Sequence, residues 1–114
     1  MALYRKLNRE TRVRRSILSS LTKDVLENGH VETTQERAKE VRKFVDRMIT
    51  YAKKGDLGSR RKVLAFLNND NDLTKKLFDQ YANTYKDRNG GYTRIIKLKE
   101  RIGDDALIVR LELV

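Results

Sequence analysis

Asn28-Gly29-His30-Val31-Glu32-Thr33-Thr34-Gln35-Glu36-Arg37-Ala38 holds a helix stop, a strand and a helix start within one short stretch. Asn28-Gly29 supplies the left-handed residue on which helices commonly end. His30-Val31-Glu32-Thr33 is too short for a helix and is rich in β-branched residues, so it predicts a short strand. Thr33, with Glu36 three residues on, has the spacing of a capping box, in which two side chains satisfy backbone N–H groups at a helix start. A strand set this tightly between two helices points to an α+β domain rather than a helical bundle.

The flanks agree. Between Thr11 and Asn28, Ile17, Leu18, Leu21, Val25 and Leu26 recur at helical spacing. Downstream, Ala38, Val41, Val45, Met48, Ile49 and Ala52 form one apolar stripe, and Lys53-Lys54-Gly55 places cations and a glycine at the helix end. Ser59 is positioned to cap a short helix through Val63, Leu64, Phe66 and Leu67, and the polar run Asn68 to Asp72 separates it from Leu73, Leu77, Phe78 and Tyr81. After Asn89-Gly90-Gly91 the pattern turns to β, over Tyr92 to Lys99 and again where Leu107, Val109, Leu111 and Leu113 alternate with Ile108, Arg110 and Glu112. Gly103-Asp104-Asp105 joins these two strands. The order predicts a two-layer α+β domain: helix, strand, two or three helices, two strands, with a small mixed sheet packed by helices. Residues 1–12 are expected to form a basic N-terminal arm and residues 13–114 a single domain.

Composition narrows the function. The 114 residues carry 26 Lys+Arg against 16 Asp+Glu, a net charge of +10, with 39% hydrophobic residues. Such self-repulsion destabilises a compact state unless a polyanion neutralises it, which points to nucleic acid or an anionic membrane surface. The absence of cysteine excludes disulfides, thiolate metal sites and cysteine nucleophiles. No apolar run approaches the roughly 18 residues needed to span a bilayer, and Met1 to Lys6 lacks a secretory signal's apolar segment, so the cytosol is the default compartment. The helix stripes are short and lack Trp, which suits a core better than a lipid interface.

Catalysis has little to work with. His30 is the one histidine and sits between a helix stop and a strand, and Asp104-Asp105 fits a hairpin turn. Gly55-Asp56-Leu57-Gly58-Ser59-Arg60-Arg61 lacks the spacing of a nucleotide-binding loop, although Arg60 and Arg61 are placed to touch a nucleic-acid backbone. No enzyme activity, cofactor, metal or small-molecule substrate is expected.

The basic clusters carry more. Arg5, Lys6, Arg9, Arg12, Arg14 and Arg15 stand against Glu10 alone, a concentration suited to phosphate neutralisation. Lys86, Arg88 and Arg94 flank Asn89-Gly90-Gly91-Tyr92-Thr93, where paired glycines let backbone N–H groups approach a phosphate. Two readings of Tyr92 stand side by side: a ring that stacks on a base, or a core residue behind a plain turn. Arg37, Lys39, Arg42 and Lys43 are offset by Glu36, Glu40 and Asp46 and read mainly as a solvated, salt-bridged face.

Three blocks in order, Lys6-Leu7-Asn8-Arg9, Thr33-Thr34-Gln35-Glu36-Arg37-Ala38-Lys39-Glu40-Val41-Arg42 and Arg88-Asn89-Gly90-Gly91-Tyr92-Thr93-Arg94-Ile95, resemble the bacterial-type large-subunit ribosomal protein seventeen family. Arg101 to Ala106 and the terminal Glu112-Leu113-Val114 extend the likeness over nearly the whole chain. The resemblance implies a structural constituent of the large ribosomal subunit, bound to ribosomal RNA and neighbouring large-subunit proteins near the nascent-chain tunnel outlet. It directs Lys6, Arg9, Thr33, Thr34, Arg37, Lys39, Gly90, Gly91, Tyr92 and Arg94 toward RNA contact or the local structure behind it. The alternative is a nucleoid-type DNA-binding protein, for which no helix-turn-helix or zinc-finger signature is present.

Overall fold

The computed structural model describes residues 11–114. Helix α1 (Thr11–Asn28) stops where Gly29, at φ 85°, returns its N–H to Val25 O at 2.8 Å. Strand β1 (His30–Thr34) leads without a loop into α2 (Gln35–Lys54), which ends the same way on Gly55, at φ 72° with its N–H on Tyr51 O. Then follow α3 (Leu57–Phe66) and α4 (Asn71–Lys76), the latter continuing through a π-helical turn (Leu77–Tyr81) into Ala82–Thr84. Strands β2 (Thr93–Glu100) and β3 (Leu107–Leu113) close the chain as a hairpin.

The sheet order is β1-β3-β2, and it is antiparallel throughout rather than mixed. β1 and β2 run in the same direction and as neighbours would have formed a parallel pair. β3 inserts between them, pairing Val109 with Thr33 and Leu111 with Ile95. A single helix layer covers one face. The stripe of α2 (Ala38, Val41, Val45, Met48, Ile49, Ala52) is buried together with Val109 and Leu111 of the sheet, Leu18, Val25 and Leu26 of α1, and Val63, Leu67, Leu73 and Leu77 beyond.

Two helix starts differ from the sequence expectation. Thr33 makes no capping box, because the β1 ladder claims its backbone and its side chain is buried; Thr34 stands at the cap position without a side-chain cap bond. For α3 the cap is Asp56, not Ser59: the carboxylate accepts the Ser59 N–H at 2.7 Å, and Ser59 lies buried inside the helix. Those bonds from Ser59 hold the Asp56 carboxyl below the usual carboxylate range. Asp70 caps α4 through the Leu73 N–H and also meets Lys23 of α1 at 3.4 Å, which ties the two helices.

At the hairpin tip, Arg101 Nε donates to the Asp104 carboxylate at 3.1 Å, and the Ala106 N–H donates to the same group. The Arg101 bond, then the Ala106 N–H, lower the Asp104 pKa to about 2. A depressed acid stabilises the folded turn above its unfolded pKa, here 3.8, and that contribution drains away as pH falls toward 2. A carboxyl NMR titration should therefore find Asp104 titrating near 2, and Arg101→Ala should return it toward 3.8. An unshifted wild-type value would mean that the pair is not populated in solution.

Candidate nucleic-acid interface

Helical phase decides which cations face outward. On α1, Arg12 and Arg15 are exposed, whereas Arg14 is only 6% exposed and engaged within the protein. Arg14 lies one turn before buried Leu18 and follows it inward, so the sequence expectation of a phosphate contact at Arg14 is not met by its placement. Arg5, Lys6 and Arg9 lie outside the described residues.

The exposed side of α2 carries Lys39, Lys43 and Arg47. Lys43 pairs with Glu40 at 3.4 Å, and the Arg47 guanidinium sits 5.5 Å from the Phe44 ring centre. Among the described residues Lys39 makes no ion pair, so the salt-bridged face expected here is only partly realised. Arg37 is half-buried. On α3, Arg60 lies over Phe78 at 5.3 Å and Lys62 over Tyr51 at 5.4 Å, while exposed Arg61 has no ion pair among the described residues. Charged heads held over aromatic rings in this way are attracted to the ring faces while the residues stay exposed.

The glycine loop is braced from behind. Gly90 and Gly91 adopt φ of 93° and 62°, where a side chain is strained, and a Cβ on either would point into open space. Gly91 is exposed, while the Gly90 N–H is turned to the Tyr92 hydroxyl. Tyr92 is 2% exposed, with its ring edge-on to Tyr85 at 5.2 Å, so the core reading holds and no base can stack on it. Tyr92 stands just before β2, where its carbonyl accepts the Val114 N–H and its hydroxyl meets Lys53 of α2; strand alternation does not extend to it, since adjacent Thr93 is buried as well.

Lys53 is the residue that sequence reasoning missed. Its ammonium donates to Arg88 O and to the Tyr92 hydroxyl at 3.1 Å, and that hydroxyl donates onward to Arg88 O at 3.2 Å. Burial pushes the Tyr92 hydroxyl pKa up, but Lys53 and the Gly90 N–H outweigh it and the net shift is downward. Arg42 adds a second tie by donating to Thr93 O at 3.3 Å. Burial raises the pKa of neighbouring Asp46, against the Tyr92 N–H and Arg42, which favour its charge. No local signal marks Lys53, since its partners are more than thirty residues away.

Arg88 remains exposed beside this loop. Arg94 is exposed on the open sheet face but is bonded to Glu112 at 3.0 Å, and Glu112 also lies 3.6 Å from Arg110. Thr33 is buried and Thr34 half-buried, which makes both part of the fold rather than of an outer surface. Among the described residues no group of three His, Cys, Asp or Glu side chains is placed to hold a metal, and no helix is long and apolar enough to cross a membrane.

Relatives share this sequence almost end to end. A "Large ribosomal subunit protein bL17" from Clostridium acetobutylicum is 53% identical over 111 residues, covering 97% of this chain and 96% of the relative. The protein of that name from Clostridium perfringens is 51% identical over 114 residues and all of both chains, and that from Ligilactobacillus salivarius is 50% identical over 124 aligned positions, covering 97% and 98%. The family model described as "Ribosomal protein L17" matches residues 17–114, from the second turn of α1 to the end of β3, and the chain belongs to that family.

Proposed function

We propose that this large-subunit ribosomal protein binds ribosomal RNA through its basic arm and helix surface, near the nascent-chain tunnel outlet and beside neighbouring large-subunit proteins. Its family makes it a structural ribosomal component of the bacterial cytoplasm and not an enzyme. The observation that carries the RNA reading is a set of exposed cations, Arg12, Arg15, Lys39, Arg61, Lys75 and Lys86, that make no ion pair among the described residues. Cations left free in this way are available to displace counterions from phosphates. The braced Gly90-Gly91 turn adds the backbone of exposed Gly91, with Arg88 beside it, and Arg5, Lys6 and Arg9 add charge from the arm. The tunnel-outlet position is supported by the family resemblance alone. No membrane and no small-molecule substrate enter this reading.

Sedimentation of lysate in high salt tests it. The protein is expected to keep a constant ratio to large-subunit RNA across large subunits and whole ribosomes, at salt that strips loosely held basic proteins. Recovery at the top of the gradient would overturn the reading, and recovery with chromosomal DNA would overturn it in favour of a nucleoid-type protein.

A further inference from the structure

We propose that the cleft between the start of α1 and the end of α3 holds one unpaired nucleotide of the large-subunit RNA. The inference rests on the RNA-binding reading and adds to it a base-reading pocket, where that reading requires only phosphate contacts.

The open cleft has a volume of about 480 Å³ and is lined by Arg12, Arg15, Ser16 and Ser19 from α1, by Ala65 and Phe66 at the end of α3, and by Asn68 just beyond it. The four α1 residues are spaced i, i+3, i+4, i+7, so they form one stripe on one helix face. That stripe consists of two cations and two hydroxyls, and among the described residues no carboxylate lines the cleft. Arg12 and Arg15 are exposed and make no ion pair or hydrogen bond among the described residues. Ser19 is spent on the fold, donating to Phe66 O at 2.8 Å, which locks the two walls together. Ser16 is exposed and lines the cleft.

The far wall has what a base requires. Phe66 is stacked on Phe44 with ring centres 5.1 Å apart and planes within 18°, so its ring is held in one orientation. Asn68 sits at φ 55°, a conformation that asparagine tolerates and that turns the chain sharply at the cleft edge. Its amide offers both donors and an acceptor, the equipment that reads a base edge. The volume falls in the range of small-ligand sites, roughly 300–1,000 Å³. A duplex cannot enter such a cleft, whereas a splayed nucleotide in a loop or bulge can, with its phosphate on the arginines and its base beside Phe66.

The test uses full-length protein on refolded large-subunit RNA, read by base-edge chemical probing and by affinity across a salt series. Ser16→Trp fills the cleft at an exposed helical position, and Asn68→Gly removes the amide while keeping a residue at ease with positive φ. Wild type is expected to protect one or two unpaired bases. S16W should restore their reactivity and weaken binding about tenfold, the scale of losing one base contact, with an unchanged salt slope and thermal melt. N68G should restore base reactivity with less loss of affinity. If both variants leave base protections and affinity as in wild type, the pocket is overturned while RNA binding stands. If wild type itself neither binds nor protects, the RNA-binding reading falls with it.

Discussion

Exchange of Arg12, Arg15, Lys39 and Arg61 for glutamine in one variant should weaken binding to large-subunit RNA by a few hundred- to a thousand-fold near physiological salt. Each phosphate contact contributes a log–log salt slope of roughly 0.7–0.9, and electrostatic binding vanishes toward molar salt, so four lost contacts remove about 2.3–3 decades at 0.15 M. The slope itself should fall by about three. These four are chosen because they are exposed and make no ion pair among the described residues. Arg94 and Arg101 provide the contrast, since Glu112 and Asp104 already offset their charge at 3.0 Å and 3.1 Å. Glutamine at those two positions should change the slope much less. Equal losses in both variants would show that net charge alone drives binding and that placement has no role; an unchanged slope in the fourfold variant would remove the helix surface from the interface.

The division between these two groups of cations also marks how far the sequence could be read. Helix ends at Gly29 and Gly55 are local events, set by a glycine at positive φ next to the last turn, and they were legible residue by residue. The hairpin between β2 and β3 was legible for the same reason. The pairing of β1 with β3 was not, because strands nearly eighty residues apart leave no mark on each other's sequence, and the mixed sheet expected there gave way to an antiparallel one. Thr33 illustrates a competition: its spacing to Glu36 fits a capping box, but a central strand seeking a partner outbids a cap worth about 1 kcal/mol. Asp56 was passed over for Ser59 by three positions, although a carboxylate at the N-cap is the stronger acceptor at a helix's positive end. Composition alone identified a basic surface, yet which cations remain free depends on helix phase and on distant carbonyls. Arg14 turned inward with Leu18, and Lys53 was drawn to Arg88 O.

Tyr92→Ala should be the most damaging single change in the chain, costing about 3–5 kcal/mol as expected for removal of a large buried aromatic side chain. The ring is 2% exposed and packs edge-on to Tyr85, whose own hydroxyl donates to Val114 O, while the Tyr92 carbonyl accepts the Val114 N–H. Loss of the ring therefore loosens the closing strand and the C-terminus together. For a chain of 114 residues, about 4 °C per kcal/mol converts this into a fall in Tm of roughly 12–20 °C, a large share of a stability on the order of 5–15 kcal/mol. Tyr92→Phe separates packing from polarity. It keeps the ring but leaves the Lys53 ammonium without the hydroxyl it bonds at 3.1 Å, at a cost of about 1 kcal/mol. If Tyr92 acted as a base platform, Y92A would lose RNA affinity with little change in Tm. A buried brace behind the glycine loop predicts the reverse order: a steep fall in Tm for Y92A, a small one for Y92F, and near wild-type RNA affinity for Y92F at temperatures where it is folded. Thermal melts of the three proteins alongside binding to large-subunit RNA at one salt concentration distinguish the two, because only the brace makes stability fall before affinity does.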